Sequence, residues 1–374
     1  MEDEPLVHGM GTEPVPPDWP PPSLAELADL LLGYGLTAHR ITWRSPRPLS
    51  AAALVESAAG TVFVKRHAAA VRDVAGLSEE HAFGAHLRLR GVPVPEVLPD
   101  LDGRTARADG PWTWEVHARG EGEDTYRDVL SWQPFHSTAD AYAVGATLAQ
   151  LTVAAEDFAA PPRQPRLLVA GWQTVSSPDL LTGLREYVGA RPQVAAALAG
   201  RDWEDEVGAA LLPLHARLAP HLAGLPPGWT HGDGHGSNFL WSPDGRVSAV
   251  LDLGLCDLTT PMFDLATAIE RGCISWLSPA PVARLDLVDA LLDGWRSVLR
   301  LMDVEVAALP ELLPLVHVDF ALSELGYFAG VTGSSQNAEL AYDGYLLGHA
   351  RWFAGPAGSA LRDHLRAAVG DPTP

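Results

Sequence analysis

The sequence predicts a two-lobed α+β fold, with a small β-rich N-terminal lobe and a larger, mainly helical C-terminal lobe. The chain has 374 residues and 47% hydrophobic content, which is enough to bury a large core and favours two domains. Strand-like runs surround one helical segment between residues 41 and 117. Helical patterns dominate from about residue 138, so the helical lobe is expected there.

The first 22 residues are predicted to form a flexible arm, because they are acidic and then rich in proline. Ser23-Leu-Ala-Glu26 is a capping box, which predicts an apolar helix that ends near Gly33 or Gly35. Three strands are predicted next, at residues 41–43, 51–56 and 61–66.

A second helix is predicted over residues 77–90, where Leu77, Phe83 and Leu87 form an apolar stripe. Two more strands follow in the prediction, at residues 97–98 and 112–117. Arg119-Gly-Glu-Gly122 is a glycine-bearing linker that is suited to a hinge. The predicted division is therefore an arm at 1–22, one lobe at 23–118 and a second lobe at 119–374.

A β-hairpin is predicted inside the helical lobe. Phe239-Leu-Trp241 and residues 247–251 are mostly apolar, and Ser242-Pro-Asp-Gly-Arg246 between them has the composition of a turn. In an antiparallel hairpin closed near residue 244, residue 238 lies nearly opposite residues 250–252. Asn238 and Asp252 are therefore expected together at the open end, beside the loop that carries Asp233.

These three polar residues have D-x4-N and D-x-G spacing. Phosphoryl transfer from Mg–ATP needs such a set, because one carboxylate orients a hydroxyl while an amide and a second carboxylate bind Mg²⁺. Asp and Asn are also ordinary turn and cap residues, and D-x4-N alone is common by chance. The combination with His-Gly-Asp and the hairpin is much rarer, so Asp233 is predicted as catalytic and Asn238 and Asp252 as metal ligands.

The motifs resemble those of the aminoglycoside phosphotransferase group of kinase-like enzymes, which also includes choline kinases, homoserine kinases and a bacterial stress-response protein kinase. In the C-terminal half the matching segments are His231-Gly-Asp-x-His235-x-x-Asn238, Leu251-Asp-Leu-Gly254 and Phe263-Asp264-Leu265-Ala266. In the N-terminal half they are Val62-Phe-Val-Lys65 and Glu79-Glu-His-Ala-Phe83 leading into Gly91-Val-Pro-Val-Pro95. The resemblance implies a protein-kinase-like fold, with ATP bound by the N-terminal lobe in a cleft between the lobes.

The resemblance also implies roles for two charged residues of the N-terminal lobe. Lys65 ends a predicted strand, where a lysine can pair with ATP phosphates if a glutamate holds it in place. Glu80 best matches the paired glutamate, and its neighbour Glu79 points about 100° away on a helix. The choice between these two glutamates stays open, and a solvated lysine is the alternative for Lys65.

Two further nucleotide contacts are expected from position alone. Ser45-Pro-Arg-Pro-Leu-Ser-Ala51 stands where kinases usually carry a glycine-rich loop, and it contains no glycine. Phosphate contacts would then come from backbone N–H groups, Ser50 and Arg47, although a plain turn is an equal alternative. The backbone of Glu115-Val-His117 is expected to contact the adenine edge.

Composition limits the partners. The formal net charge of −21 disfavours binding to nucleic acid and to anionic membranes, and a cationic acceptor would suit it. Cys256 and Cys273 lack C-x-x-C spacing, which argues against a disulfide scaffold or structural zinc and fits a reducing cytoplasm. We see no basic and apolar leader, and no run of about 18 uninterrupted apolar residues.

The predicted function is ATP- and Mg²⁺-dependent phosphorylation of a hydroxyl on a small molecule, with a cationic acceptor such as an aminoglycoside or another amino alcohol as the leading candidate. A protein Ser/Thr kinase of the same fold is the first alternative. A metal-dependent hydrolase built on His231, Asp233 and His235 is a further alternative, although zinc normally takes ligands from several segments. The resemblance instead implies that these imidazoles brace the loop. Asp264 is predicted to cap a helix.

Overall fold

The computed structural model describes residues 7–8, 11–49, 51–169 and 171–370. The chain forms two compact units. The first contains the residues up to 131 together with 239–244 and 248–251, and the second contains residues 132–238, 245–247 and those from 252 onward. The first unit therefore includes most of the hairpin predicted around residue 244.

The described strands, numbered in chain order, are β1 (Val7–His8), β2 (Pro14–Val15), β3 (Ala38–Arg44), β4 (Ala51–Ser57), β5 (Gly60–Ala68), β6 (Ala106–Asp109), β7 (Trp112–Ala118), β8 (Gly228–Thr230), β9 (Phe239–Trp241), β10 (Val247–Val250) and β11 (Asp257–Thr259). The described α-helices are α1 (Leu24–Leu32), α2 (Val74–Leu89), α3 (Thr138–Ala155), α4 (Leu180–Gly189), α5 (Pro192–Leu198), α6 (Trp203–Leu222), α7 (Pro261–Gly272), α8 (Leu285–Arg296), α9 (Asp303–Leu312), α10 (Val318–Tyr327), α11 (Ser335–Glu339), α12 (Leu347–Ala354) and α13 (Pro356–Gly370). Two π-helical segments, Phe328–Thr332 and Leu340–Leu346, flank α11.

The first unit is built on a five-stranded antiparallel sheet with strand order β3-β4-β5-β7-β6. Successive side chains of a strand alternate between the two faces of a sheet. Val64 of β5 and Val116 of β7 lie in one buried apolar cluster with Leu27 and Leu31 of α1. Lys65 is paired with Glu115 in register, so both project from the opposite face.

Most predicted elements of this unit are confirmed. The capping box of Ser23 and Glu26 starts α1, and the predicted strands correspond to β3, β4, β5 and β7. The strand predicted at residues 97–98 is reduced to one isolated bridge between Val97 and His117. Strand β6 was missed, because its sequence Ala-Arg-Ala-Asp carries no strand signal.

Residues 11–22 differ from the predicted flexible arm where the structure describes them. The Trp19 ring packs edge-on against Trp112 of β7, with 5.6 Å between the ring centroids. Arg44 Nη1 donates a hydrogen bond to the Pro22 carbonyl oxygen over 2.6 Å. These contacts hold the proline-rich segment against the sheet.

Two short antiparallel pairs position the polar loops. Strands β9 and β10 form the predicted hairpin, with Asn238 directly before β9 and Asp252 two residues after β10. Strand β8 pairs with β11, with Thr230 opposite Asp257. The loop that follows Thr230 and the segment that precedes Asp257 therefore leave the same end of this pair.

The second unit is mainly helical. Helices α3 and α8 approach closely because Gly145 and Gly294 lie at their contact, where an added Cβ would meet backbone of the facing helix at 2.0 Å. The continuous helical stretch Asp303–Thr332 has a mean hydropathy of 1.4, so its length and composition alone would suit a membrane span. Of its most apolar window, 83% is buried inside this unit, as in the core helix of a globular domain.

Candidate active site

The loop after β8 is held by a carboxylate from α7. Asp264 Oδ2 accepts a hydrogen bond from the His231 backbone N–H over 2.8 Å, and Asp264 Oδ1 accepts one from the Gly232 N–H over 2.6 Å. Gly232 has φ 77°, a left-handed conformation that favours glycine. The prediction that Asp264 caps a helix was wrong, because α7 begins at Pro261 and this carboxylate anchors the neighbouring loop instead.

Both histidines of the loop lie against Asp233. The Asp233 N–H donates to His231 Nδ1 over 3.1 Å, and His235 Nε2 lies 3.5 Å from Asp233 Oδ1. Among the described residues, these three do not bring one ligand atom each within 4.8 Å of one another. The arrangement matches the bracing role that the resemblance implied for the imidazoles, and it gives no support to a zinc site here.

The Asp233 carboxylate forms an ion pair with buried Arg271 of α7. Burial alone would raise the pKa of Asp233, but the charges of Arg271 and then His235 hold it below its ordinary value. Sequence reasoning missed Arg271. Helical spacing could have found it, because Arg271 lies seven residues after Asp264, and therefore on the same face of α7.

Asp252 has the left-handed backbone conformation φ 54°, ψ 70°, which is uncommon for a residue other than glycine. Its Oδ1 accepts a hydrogen bond from the Gly254 N–H over 3.3 Å. Buried Arg163 donates to the carbonyl oxygens of Gly254 and Cys256 over 3.0 and 3.1 Å, and so fixes the segment that follows. A backbone outlier maintained by such contacts is characteristic of functional segments.

The residues predicted as metal ligands provide suitable oxygen atoms. Asn238 Nδ2 donates to the Asp233 carbonyl oxygen over 2.9 Å, which turns Oδ1 of the same amide the other way. Asn238 and Asp252 flank the open end of the β9–β10 hairpin. Mg²⁺ usually binds proteins through one or two side-chain oxygens together with substrate phosphates. One amide and one carboxylate therefore fit a Mg²⁺ ion.

Two further carboxylates of the second unit, Glu270 and Glu324, are buried near Asp233. Glu270 is 1% exposed, so its carboxylate lies inside this unit. Glu270 Oε1 bonds to His349 Nδ1 over 2.7 Å. Glu324 is 4% exposed, and its Oε2 has no hydrogen-bond partner among the described residues.

Burial raises the pKa of Glu324 to about 8, and the nearby charges of Asp233 and Glu270 add to this rise against the opposing effect of Arg271. Burial would also raise the pKa of Glu270, but the hydrogen bond and charge of His349 hold it below its ordinary value. The two neighbouring glutamates therefore differ in charge near neutral pH, with Glu270 ionised and Glu324 largely protonated.

Aromatic side chains line the same cluster. Trp132 packs against Tyr345 with 4.6 Å between the ring centroids, and Tyr345 lies 4.7 Å from the His349 ring. The His349 ring stacks on Trp276 at 3.5 Å. Trp132 has φ 67°, a strained conformation for a bulky residue, and Tyr345 belongs to the π-helical segment Leu340–Leu346.

The residues predicted to contact the nucleotide belong to the first unit of the chain. Lys65 is half-buried on β5, Glu80 is buried on α2 and Glu79 is half-buried. Glu80 Oε1 lies 3.0 Å from Arg72 Nε. Burial lowers the pKa of His67, and the charges of both Lys65 and Glu80 act on this ring. Their pairing stays a prediction, and Ser50 lies outside the described residues.

The backbone at Glu115 and His117 is engaged inside the sheet. These residues pair with Lys65 and Phe63 of β5. On the other edge of β7, Leu98 N–H donates to the Val116 carbonyl oxygen over 2.7 Å. The expected adenine contact does not fit these residues, because their backbone groups already have partners and the Glu115 side chain is turned into a histidine cluster.

The fold and the polar loops together define a kinase-like phosphotransferase. Residues 49–320 match the model of the phosphotransferase enzyme family. This range covers most of the chain, and the protein therefore belongs to that family.

Similar proteins include kinases that act on alcohol groups. The homoserine kinase of Polaromonas naphthalenivorans is 27% identical over 65% of this chain and 68% of its own length. The structure of a microcompartment-associated aminopropanol kinase has a TM-score of 0.62 at 20% identity and covers 92% of this chain and 100% of that chain. The structure of an amicoumacin kinase in complex with AMP-PNP and Ca²⁺ has a TM-score of 0.57 at 15% identity and covers 87% of this chain and 92% of that chain.

The predicted two-lobed α+β, kinase-like fold class is thus confirmed. The protein is a phosphotransferase of the kinase class with an alcohol group as acceptor.

Proposed function

We propose that the protein uses ATP and Mg²⁺ to phosphorylate a hydroxyl of a small molecule that also carries an amine, such as an aminoglycoside or another amino alcohol. The observation that carries this proposal is the pair of buried carboxylates, Glu270 and Glu324, in the same cluster as Asp233 and Arg271. Buried carboxylates need a cationic or hydrogen-bonding partner. An ammonium group of the acceptor would supply one.

Asp233 would orient the acceptor hydroxyl and receive its proton. The acceptor oxygen forms a bond to the γ-phosphorus of ATP, the bond from that phosphorus to the β–γ bridging oxygen breaks, and ADP leaves with the electron pair. Arg271 keeps Asp233 ionised and weakly basic. A weak base suits a loose transition state, in which the hydroxyl loses its proton late and positioning contributes most.

Asn238 and Asp252 would hold the Mg²⁺ ion, which neutralises charge on the phosphates. The left-handed backbone of Asp252, together with the contacts of Arg163 to the segment that follows it, would present the Asp252 carboxylate in one orientation. In the first unit, Lys65 would pair with the ATP phosphates, and Glu80 would hold that lysine in place. Ser50 is a further proposed phosphate contact.

The amine would lie between carboxylates and aromatic rings. Glu270 is ionised, and an adjacent ammonium ion would favour ionisation of Glu324 as well, because an opposite charge lowers the pKa of a carboxyl. Arg271 repels a cation, but its charge is matched by Asp233. The faces of Trp132 and Tyr345 would add cation–π attraction.

The test is ADP release with pairs of acceptors that differ only in the amine. One pair is 1-amino-2-propanol and 1,2-propanediol, and another is an aminoglycoside and its N-acetylated form. Loss of one buried charge contact costs on the order of 2–3 kcal/mol, so we expect kcat/KM to be at least about thirtyfold higher for an amine. Equal rates for both members of every pair would contradict the proposed acceptor class.

A variant separates this acceptor class from the kinase reaction itself. In Asp233→Asn we expect turnover to fall by about 10²–10⁴-fold, while nucleotide binding, measured by calorimetry with Mg–ATP, is retained. Asp252→Asn should weaken Mg-dependent nucleotide binding as well. Full activity of Asp233→Asn would overturn its role. Label transferred from ATP to protein side chains, with none to small acceptors, would favour the protein-kinase alternative.

A further inference from the structure

A second polar cluster lies in the first unit, on the face of the sheet that carries Lys65. Its centre is Glu115 of β7, whose carboxylate is buried and contacted by three imidazoles. His81 Nε2 and His117 Nε2 lie 2.7 and 2.9 Å from Glu115 Oε2. His67 Nε2 lies 2.8 Å from the other oxygen, Oε1. Nothing in the phosphotransfer reaction described above uses these histidines.

The local structure explains why these groups meet. Glu115 and His117 are two residues apart on β7, so their side chains share one face of the sheet. His67 lies on the neighbouring strand β5 and shares that face with Lys65, again two residues away. His81 belongs to the buried side of α2. The cluster therefore joins one helix to two central strands.

The donor atoms have the arrangement of a metal site. One atom each of His81, Glu115 and His117 lies within 4.8 Å of the other two. Around a tetrahedral ion with bonds of about 2.0–2.2 Å, ligand atoms lie about 3.4 Å apart, so the two contacts to Oε2 need to widen by about 0.5–0.7 Å. The Nε2 atoms of His81 and His117 both lie against Glu115 Oε2, so the two imidazoles converge on one point.

The surroundings add the second-sphere contacts that orient metal ligands. His81 Nδ1 lies 2.9 Å from Thr105 Oγ1, so a hydrogen bond there would leave the lone pair on Nε2. An ion bound to Glu115 Oε2 would leave Oε1 without a metal contact. His67 Nε2 lies against this Oε1 and can donate a hydrogen bond to it. Nearby Lys65 opposes a cation, whereas Glu80 favours one. This balance predicts weaker binding than at a thiolate site.

We propose that His81, Glu115 and His117 bind a divalent transition-metal ion, with zinc as the best match for two imidazoles and one carboxylate. Water or a rotated His67 completes the coordination. The ion ties α2, which also carries Glu80, to β7. Hard ions such as Mg²⁺ are poor matches, because two of the three ligands are nitrogen atoms.

The experiment uses the full chain, dialysed against a chelator and then titrated with ZnCl₂ at pH 7.5. We expect about one zinc ion per chain with a Kd of roughly 10 μM or tighter. The double variant His81→Gln with His117→Gln should lose binding by at least about a hundredfold. Glutamine keeps an N–H donor for Glu115, which protects the fold. No binding by the wild-type protein, or equal binding by the double variant, would overturn the proposal.

Two controls separate this site from others. His39→Ala removes an exposed imidazole of β3, and His235→Ala removes one beside Asp233 in the second unit; both should bind zinc like the wild type. Loss of zinc in His235→Ala alone would move the site to the second unit and so overturn the proposal. Co²⁺ gives a second readout that depends on a signal gained by a variant and not on binding lost. His81→Cys should retain Co²⁺ and add a thiolate-to-metal absorption band, and absence of that band would count against His81 as a ligand.

Discussion

Glu115 in the first unit is a buried carboxylate and Asp233 in the second is a largely buried one, and the two stay ionised with different partners. Burial opposes the ionised form of each, yet the pKa of each is held below its ordinary value. The charges and hydrogen bonds of three imidazoles act on Glu115, whereas the guanidinium of Arg271 acts on Asp233. Imidazole nitrogens can exchange a proton for a metal ion, and a guanidinium cannot. The cluster around Glu115 is therefore suited to binding a metal ion, whereas the pair of Asp233 and Arg271 is suited to presenting a fixed negative charge to an acceptor hydroxyl.

The largest effect is expected from Arg271→Met, which leaves Asp233 in its site without its strongest partner. Removing one partner of a buried ion pair costs about 3–5 kcal/mol, and because the Asp233 side chain is 16% exposed we expect about 2–3 kcal/mol. The pKa of Asp233 is lowered in the folded state, so this stabilisation is present above about pH 4 and is lost as the pH falls further. Urea unfolding at pH 7 and at lower pH measures the loss.

The matched control for that variant is Arg185→Met. Arg185 Nη2 lies 2.6 Å from Glu204 Oε2, but both side chains are about half exposed, and solvent screens such pairs. We expect the unfolding midpoint of Arg185→Met to stay near that of the wild type. Similar losses in the two variants would show that the Asp233–Arg271 pair has no special protection from water.

A smaller effect, with the opposite dependence on pH, is expected from Glu324→Gln. The pKa of Glu324 is raised to about 8 in the folded state, whereas an unfolded glutamate titrates near pH 4.3. Between these values the unfolded chain has lost the proton and the folded chain retains it, so the wild-type protein loses stability as the pH rises from about 5 to 8. Glutamine stays neutral, and the variant should lose less stability over that range in urea unfolding.

The same variant also tests the amine proposal. Glu324→Gln should raise KM for the best amine acceptor and leave KM for ATP unchanged, because its contact is with the acceptor alone. Glu204→Gln, an exposed glutamate in the same unit, is the matched control and should change neither quantity. An unchanged slope of stability against pH in Glu324→Gln would contradict the burial of this carboxyl as a neutral group.

The sequence predicts elements best where a signal is local. The capping box at Ser23, the strand-like run at residues 61–66 and the turn residues at 242–246 each act within a few residues, and all three elements are found in the structure. Strand β6 has a polar sequence and is a strand only because β7 offers it an edge for pairing. Tertiary pairing of that kind leaves no local pattern.

The candidate site divides in the same way. Asp233, Asn238 and Asp252 could be proposed from spacing, because they lie on one loop and at the two ends of one hairpin within a short stretch of chain. Helical spacing places Arg271 on the face of α7 that carries Asp264, but no local pattern shows that Arg271 pairs with Asp233. Glu324 could not be proposed from spacing, because its role depends on burial that only the packing of α10 creates. The adenine contact expected at Glu115 rested on position in the sequence pattern alone. That position does not show that β7 is paired on both edges, with β5 and with β6.

The smallest effect is expected at Trp132, which provides only a ring face to the cluster around Glu270 and Glu324. A cation–π contact contributes about 0.5–2 kcal/mol, so Trp132→Ala should raise KM for an amine acceptor by about two- to thirtyfold with kcat nearly unchanged. Trp132→Phe retains an aromatic face and should lie close to the wild type. Because Trp132 has φ 67°, Trp132→Gly relieves backbone strain while removing the ring.

Comparing these three variants separates recognition of the amine from conformational strain. If the ring acts on the ammonium group, Trp132→Gly and Trp132→Ala should share the same rise in KM although glycine gives the more stable protein. If the strained backbone itself sets the geometry of the cluster, only Trp132→Gly should disturb binding. Equal KM values for Trp132→Ala and the wild type with every amine acceptor would show that the Trp132 ring does not contact the amine. Recognition of the amine would then rest on the carboxylates of Glu270 and Glu324.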